Sequence, residues 1–399
     1  MRKLIVLLML LMLMFRMSQA STIQFGDSTV VSLITCEPGK AVYTKFGHTA
    51  IRIQDTLGID LVYNYGVFDF KTPNFYLKFL RGHTDYMLAV YPTAYFLMDY
   101  EARKSNVWEQ KLNLTKEEKD ELIYLLNVNN QPENRMYRYN FVYDNCSTRP
   151  FYIIAQALKN NAAPQVFWKK HTARSMISDY LADSPWVNLG VNLVFGQEAD
   201  QILRIQESIF LPEFLMDYYQ HAELVDENNL LETTNLVDGD AIPLLKFPHN
   251  EKSALPLIFH PVWFFLLWLI AGAVLLLFKK SMDDIANCIF DFLLFFIIGI
   301  GGLIVFFLMF YSEHPLVGEN LSLLWLSPLN IIVAFLVCVK KTAKILFYYF
   351  IIYALTVVSY IVIAAANAYV FLICIAPLLA LILLRIAVRE HQLFKKLYM

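Results

Sequence analysis

Two hydropathy patterns divide the chain. Up to about residue 250, apolar positions alternate with polar ones or recur at helical spacing; from residue 256 to 384 they merge into long unbroken runs. The runs cover 257–278, 288–311, 325–339, 345–366 and 368–384. A hydrocarbon core of about 30 Å needs about 20 residues at 1.5 Å each, so every run except the third has crossing length. The third is shorter and carries Pro328 near its start, which predicts an irregular beginning. The pattern therefore predicts an all-α transmembrane domain of about five helices over 256–384, with 385–399 as a cytoplasmic tail.

Charge orients these spans. The basic clusters in "KKSMDD" (279–284), "KKTAK" (340–344) and "RIAVREHQLFKK" (385–396) fall on alternate connections. Lys and Arg collect on the cytoplasmic side, so residues 21–255, the 312–322 loop and the turn at Asn367 are expected outside. The N-terminus agrees independently. Arg2 and Lys3 precede an apolar stretch from Leu4 to Phe15 and then Ser18-Gln19-Ala20, the pattern of a secretory signal over 1–20, with an uncleaved anchor as the alternative. Both readings export the segment from Ser21 onward.

The exported part, 21–250, reads as an α+β domain. "STVVSLITC", "HTAIRIQD" and "GIDLVYNYGVFDF" have strand character, and "QDTLG" between the last two suits a hairpin. In 115–128, Thr115 with Glu118 forms a capping box, and Leu122, Leu125 and Leu126 share one face of the helix behind it. "PFYIIAQAL" and "SMISDYLAD" are helical in pattern, as is most of "EADQILRIQESIFLPEFLMDYYQHAELV", with a break at Pro212. "HNEKSALP" (249–256) is the expected linker to the membrane.

Hydrophobic residues make up 57% of the chain and charged ones 17%, too apolar for an ordinary soluble enzyme, and a net charge of −2 gives no footprint for nucleic acid. Of the cysteines, Cys288, Cys338 and Cys374 lie in the apolar half; only Cys36 and Cys146 are exported. In an oxidising compartment these two can pair, so a Cys36–Cys146 disulfide competes with a thiol nucleophile. A nucleophile needs a base, and usually a third group that orients the base. His48 opens "HTAIRI" behind Gly47, and Asn64 in the hairpin partner is placed to hold the imidazole, with Asp60 and Asp69 as rivals. Cys146 precedes a helical pattern, where unsatisfied N–H groups stabilise a thiolate, although Pro150 shifts the expected helix start toward Ser147 or Thr148. Glu313, His314 and Asn320 in the outer loop either hydrate the interface or border the site. Arg52, Arg81 and Arg149 are candidates for polar contacts near it, against ordinary surface solvation.

Taken together, "TCEPGKAVYTKFGHTAIRI", "VYNYGVFDFKTPNFYLKFLRG" and "YRYNFVYDNCSTR" resemble the bacterial lipoprotein N-acylation transferases of the Lnb type, an exported domain followed by membrane spans. The histidine-before-cysteine order also resembles the circularly permuted papain-like (NlpC-type) fold that includes lecithin:retinol acyltransferase. The resemblance implies Cys146 as nucleophile, His48 as base and Asn64 as the polar third position. It implies a diacylglyceryl-modified lipoprotein as substrate, with an acyl chain passing, at sn-2, through a Cys146 thioester to the α-amine. Backbone N–H groups near Cys146, with the Asn145 side chain, are then expected to hold the oxyanion. The aromatic-rich segment 74–100 is a candidate acyl-chain groove or simply core. No cofactor is expected, since neither metal-ligand spacing nor a phosphate-binding glycine loop appears. A membrane-tethered cysteine hydrolase and a disulfide-linked, non-catalytic binding domain are the rival readings.

Overall fold

The computed structural model describes residues 28–41, 44–68, 71–159, 162–164, 170–225, 233–248, 259–278, 281–367, 369 and 372–399. The signal segment 1–20, Asp69, Lys279 and Lys280, and the linker up to residue 256 lie outside the described residues.

An antiparallel sheet organises the exported domain. Its strands are β1 (Val30–Cys36), β2 (His48–Gln54), β3 (Asp60–Val67), β4 (Asp85–Pro92), β5 (Val107–Lys111) and β6 (Met136–Arg138), and it is closed at one edge by the late β10 (Ile242–Leu245). The spatial order is β10-β5-β1-β2-β3-β4-β6. A small second sheet joins β7 (Ala162–Pro164), β8 (Ala222–Val225) and β9 (Thr233–Asn235). The expected hairpin is present: the Asp55 N–H donates to the Ile59 carbonyl, and Gly58 takes a positive φ at the turn.

Helices α1 (Phe75–Leu80) and α2 (Thr93–Arg103) flank β4, so the aromatic segment 74–100 is helix, strand and helix rather than one element. Helix α3 (Lys116–Asn129) carries both bonds of the Thr115–Glu118 capping box. It packs with α4 (Thr148–Ala157) on one sheet face, where Val31, Leu33, Ile51, Ile53 and Tyr63 alternate inward to meet Leu122, Leu126 and Ile154. The opposite face buries Ile34, Cys36, Ala50 and Val62 against Phe96 and Tyr100 of α2. This period-2 division puts Cys36 and the side chain of its neighbour His48 on the α2 side. Helices α5 (Ala173–Tyr180), α6 (Pro185–Val194), α7 (Ile205–Ser208) and α8 (Pro212–Gln220) complete the domain. The stretch expected to be helical through residue 225 ends instead at Gln220 and turns into β8, because strand pairing with β7 and β9 claims Ala222–Val225.

Among the described residues, four helices are long and apolar enough to cross a membrane: α9 (Pro261–Phe278), α10 (Ile285–Tyr311), α12 (Ala343–Ala366) and α13 (Leu372–Tyr398). The third apolar run is not a long helix. A 3-10 turn at Leu321–Leu324, packed against α10 and α12, precedes it, and the run itself holds a break at Pro328 and a short α11 (Asn330–Leu336) packed against α10. Residues 385–398, expected as the tail, continue α13 as helix, and Arg385 and Arg389 are buried in the bundle. Both clamp Asp291 of α10, at 2.6 Å from either guanidinium, while Arg385 also binds Asn287 and Arg389 the Val337 carbonyl.

The exported domain rests on one end of this bundle. Gly196 N–H donates to the Leu316 carbonyl at 2.7 Å and Asn320 Nδ2 to the Leu193 carbonyl at 2.9 Å. Arg174 lies over the Tyr369 ring at 5.2 Å, and His83 Nε2 meets Glu313 at 2.9 Å. The 312–322 loop and the 367 turn thus share the end occupied by the domain. The Met282–Gln392 contact marks the opposite end.

Candidate active site

Strands β2 and β3 pair only from Ile51↔Tyr63 to Gln54↔Asp60, although both extend further in the other direction. Residues 48–50 and 64–67 therefore splay apart. The register shift in β3 against β4 between Asn64 and Val67 centres on this opening, and Gly66 has φ +94° there. A β-bulge of this kind bends the strand and re-aims its side chains. The start of α4 fills the gap. Thr49 Oγ1 contacts Ser147 Oγ at 3.1 Å, and Thr49 N–H points at the Cys146 sulfur. A Cβ on Gly66 would lie 3.5 Å from Cys146 Cβ and 3.6 Å from His48 Cε1, so Gly66 forms the wall behind both groups.

His48 Nε2–H donates to Asn64 Oδ1 at 2.6 Å, and Asn64 Nδ2 in turn donates to Tyr91 Oη at 2.6 Å. This fixes the ring and leaves Nδ1 for the Cys146 thiol, with which His48 shares a side-chain hydrogen bond. Gly47 permits the placement: its φ is +75°, and a Cβ there would sit 2.6 Å from the Cys36 carbonyl. Burial by itself raises the Cys146 thiol. The charge and hydrogen bond of His48, then the Thr49 and Cys146 N–H groups, outweigh it and hold the thiol below its ordinary value. Burial likewise disfavours a charged His48, but the Cys146 thiolate and then Asn64 overcome it, and the imidazole is raised. Each partner thus favours the ion pair, the condition for a thiolate at neutral pH.

Asn145 is buried and its amide is fully used. Oδ1 accepts from Ser147 N and Thr148 N at 2.8 and 2.9 Å, while Nδ2 donates to the Phe141 and Phe210 carbonyls. The expected oxyanion role for its side chain is therefore corrected. Asn145 caps α4, replacing Ser147, which occupies the N-cap position without a side-chain capping bond. Because Ser147 N and Thr148 N are consumed, Cys146 N–H and Thr49 N–H are the donors left beside the sulfur.

Three further candidates are committed elsewhere. Arg52 is bidentate to Asp60 at 2.7 and 2.8 Å and also bonds Glu109, which removes Asp60 as an orienter of His48. Arg149 grips Asp144 with two bonds and stacks over Tyr137 at 3.6 Å. His314 is engaged by α1: its Nε2 donates to the Phe79 carbonyl at 2.6 Å, and burial lowers its pKa despite that bond. Cys36 and Cys146 are both free. Cys36 is wholly buried and bonds Tyr100, and burial pushes its thiol far up, so it packs as an inert neighbour of the site rather than bridging it. Among the described residues no group of three His, Cys, Asp or Glu side chains is placed to hold a metal ion. Thr49, Gly66 and Tyr91 escaped the sequence reading; only the glycine inside a strand pattern, "NYGV", signals the bulge.

The fold and site together define a membrane-docked α+β domain that presents a thiol–imidazole–amide triad beside a helical bundle. Residues 19–178 match the Lnb N-terminal periplasmic domain and residues 250–397 the Lnb transmembrane domain. The chain belongs to the Lnb family, as a membrane protein with a periplasmic domain that acts in lipoprotein maturation. No curated protein and no solved structure matches it.

Proposed function

We propose that this protein is a cysteine-dependent lipoprotein N-acyltransferase of the bacterial cytoplasmic membrane, with its triad on the periplasmic side. The observation that supports this best is the Cys146–His48–Asn64 chain, held in a domain that bonds directly to the 312–322 loop between membrane helices. The order of parts, imidazole on a strand and thiol at a later helix start, supports the reading as a permuted papain-like domain.

In the first half-reaction the Cys146 thiolate attacks the sn-2 ester carbonyl of a diacylglyceryl-modified lipoprotein. Cys146 N–H and Thr49 N–H face the developing oxyanion. The C–O bond breaks, His48 delivers its proton to the leaving alkoxide, and a thioester with a free glyceryl hydroxyl results. In the second half the α-amine of the lipoprotein's N-terminal cysteine attacks the thioester. His48 takes the ammonium proton and returns it to the sulfur, leaving an amide and a lyso-type lipid. Docking on the bundle keeps ester, amine and thiol in one layer, which replaces a bulk encounter by a local one.

Mass spectrometry of a reporter lipoprotein's N-terminal peptide tests the reading, in cells that lack other N-acylating enzymes. Wild-type protein should give an N-acylated lyso form, and Cys146→Ala should leave a free amine. A free amine with both proteins would refute the transferase; released fatty acid without amide would make the protein a hydrolase.

A further inference from the structure

Helix α1 is anomalous. Five of its six residues are large and apolar, yet none is buried and four are exposed: Tyr76 is 78% exposed, Leu77 55%, Phe79 49% and Leu80 48%. What holds it is polar backbone contact with the loop that leaves α10. Glu313 N–H donates to the Arg81 carbonyl at 2.9 Å, and His314 Nε2 to the Phe79 carbonyl. The last turn of α10 is itself bare and apolar, with Phe310 58% and Tyr311 64% exposed. The apolar face of α1 therefore continues the surface that the bundle presents to the bilayer, and Lys78 and Arg81 flank it as cations suited to headgroups.

From α1 a row of rings leads to the thiol. Phe79 neighbours Phe75 (6.2 Å), Phe75 stacks on Phe68 (6.0 Å), Phe68 on Tyr86 (4.8 Å) and Tyr86 on Tyr139 (4.2 Å). Phe68 follows the Gly66 bulge that backs Cys146, and Tyr86 and Tyr139 both feel the Cys146 charge. Phe68, Phe75, Tyr86 and Tyr139 are half-buried, and Tyr86 and Tyr139 lean on the domain core, so the row leads from exposed α1 to the edge of that core.

We propose that α1 and residues 312–314 form a lipid-facing entrance, and that an acyl chain of the diacylglyceryl substrate leaves the bilayer there and lies along Phe79, Phe75, Phe68 and Tyr86 to reach Cys146. This rests on the acyl-transfer reading. The track gives the chain continuous apolar contact, so the ester can rise to the thiol without exposing the tail to water.

The test uses full-length protein in phosphatidylethanolamine–phosphatidylglycerol vesicles. Turnover of an embedded dipalmitoylglyceryl-cysteinyl peptide is compared with the acylation burst on soluble p-nitrophenyl butyrate. Tyr76→Ser/Leu77→Ser should lower the ratio of the two activities by about tenfold, as expected when apolar anchoring is removed. An unchanged ratio overturns the entrance. Loss of the burst in the wild type would instead strike the nucleophile reading itself. In Cys146→Ala protein, a diazirine near the ester end of the lipopeptide's acyl chain should label peptides containing Phe68 and Tyr86, while a diazirine phospholipid should label only residues 75–80. Label confined to 75–80 with both lipids, or phospholipid label at Phe68 and Tyr86, overturns the track.

Discussion

Asn64→Ala tests the triad without touching the nucleophile. In the wild type the Asn64 carbonyl accepts from His48 Nε2–H at 2.6 Å and raises the imidazole, so it stabilises the imidazolium half of the ion pair. A hydrogen bond to a charged group is worth about 1.5–3 kcal/mol. With about 1.4 kcal/mol per factor of ten, its loss should lower the ion-pair equilibrium constant by about 10- to 150-fold. The readout is the alkylation rate of Cys146 by iodoacetamide in full-length protein, followed on the Cys146 peptide by mass spectrometry across pH. The sign is fixed by the two shifts. The Cys146 thiol lies below its ordinary value and His48 above its own, so the ion pair fills the window between the pair's two apparent pKa values. Removing Asn64 should lower the imidazolium edge of that window and let the neutral thiol–imidazole pair replace the ion pair, moving the rise in alkylation to higher pH. Asn64→Asp keeps an acceptor at the same position and should retain the wild-type rate within a few-fold while raising His48 further. An Asn64→Ala protein with wild-type rate and profile would show that the amide does not orient the base.

Other outcomes follow from the same contacts. Cys146→Ala should drop the His48 pKa below its ordinary value, because burial then acts unopposed by the thiolate; histidine NMR in nanodiscs measures this, and an unmoved titration would refute the coupling. Asn145→Ala orphans Ser147 N, Thr148 N and the Phe141 and Phe210 carbonyls, so at about 1–3 kcal/mol for each buried unsatisfied group the domain should lose several kcal/mol and melt early. Arg149→Lys breaks the bidentate Asp144 contact and should lower thermal stability while leaving the KM for lipopeptide unchanged; a raised KM would restore the residue as a substrate contact. Asp291→Ala leaves Arg385 and Arg389 facing each other in the bundle and should cost about 3–5 kcal/mol, read as a fall in the unfolding midpoint in detergent micelles.

Local signals carried much of this protein. Hydropathy runs locate α9, α10, α12 and α13, since a span must satisfy its backbone internally and show lipid an apolar surface. The Thr115–Glu118 box starts α3 and the "DTLG" turn closes β2 on β3, because both motifs satisfy their hydrogen bonds within a few residues. Position along the chain could not show that Arg52, Arg149 and Asn145 are all engaged by protein groups. Their partners Glu109, Asp144 and Phe210 are chosen by packing, and an Arg or Asn beside a reactive cysteine looks the same in sequence whether it braces the fold or meets substrate.

The sequence by itself determined the division into exported and membrane parts, the strands β1 to β3 and the capped start of α3, and the few residues able to form a thiol–imidazole pair. Only the tertiary structure decided that the β2–β3 ladder opens at Gly66 to admit Cys146, that Thr49 turns an N–H toward its sulfur, and that α1 is hung on the 312–314 loop rather than buried. The reason is physical. Periodicity and capping are short-range and recorded in neighbouring residues. The site, by contrast, joins β2, β3 and the start of α4, whose meeting depends on where a strand stops pairing and which side chains fill the gap.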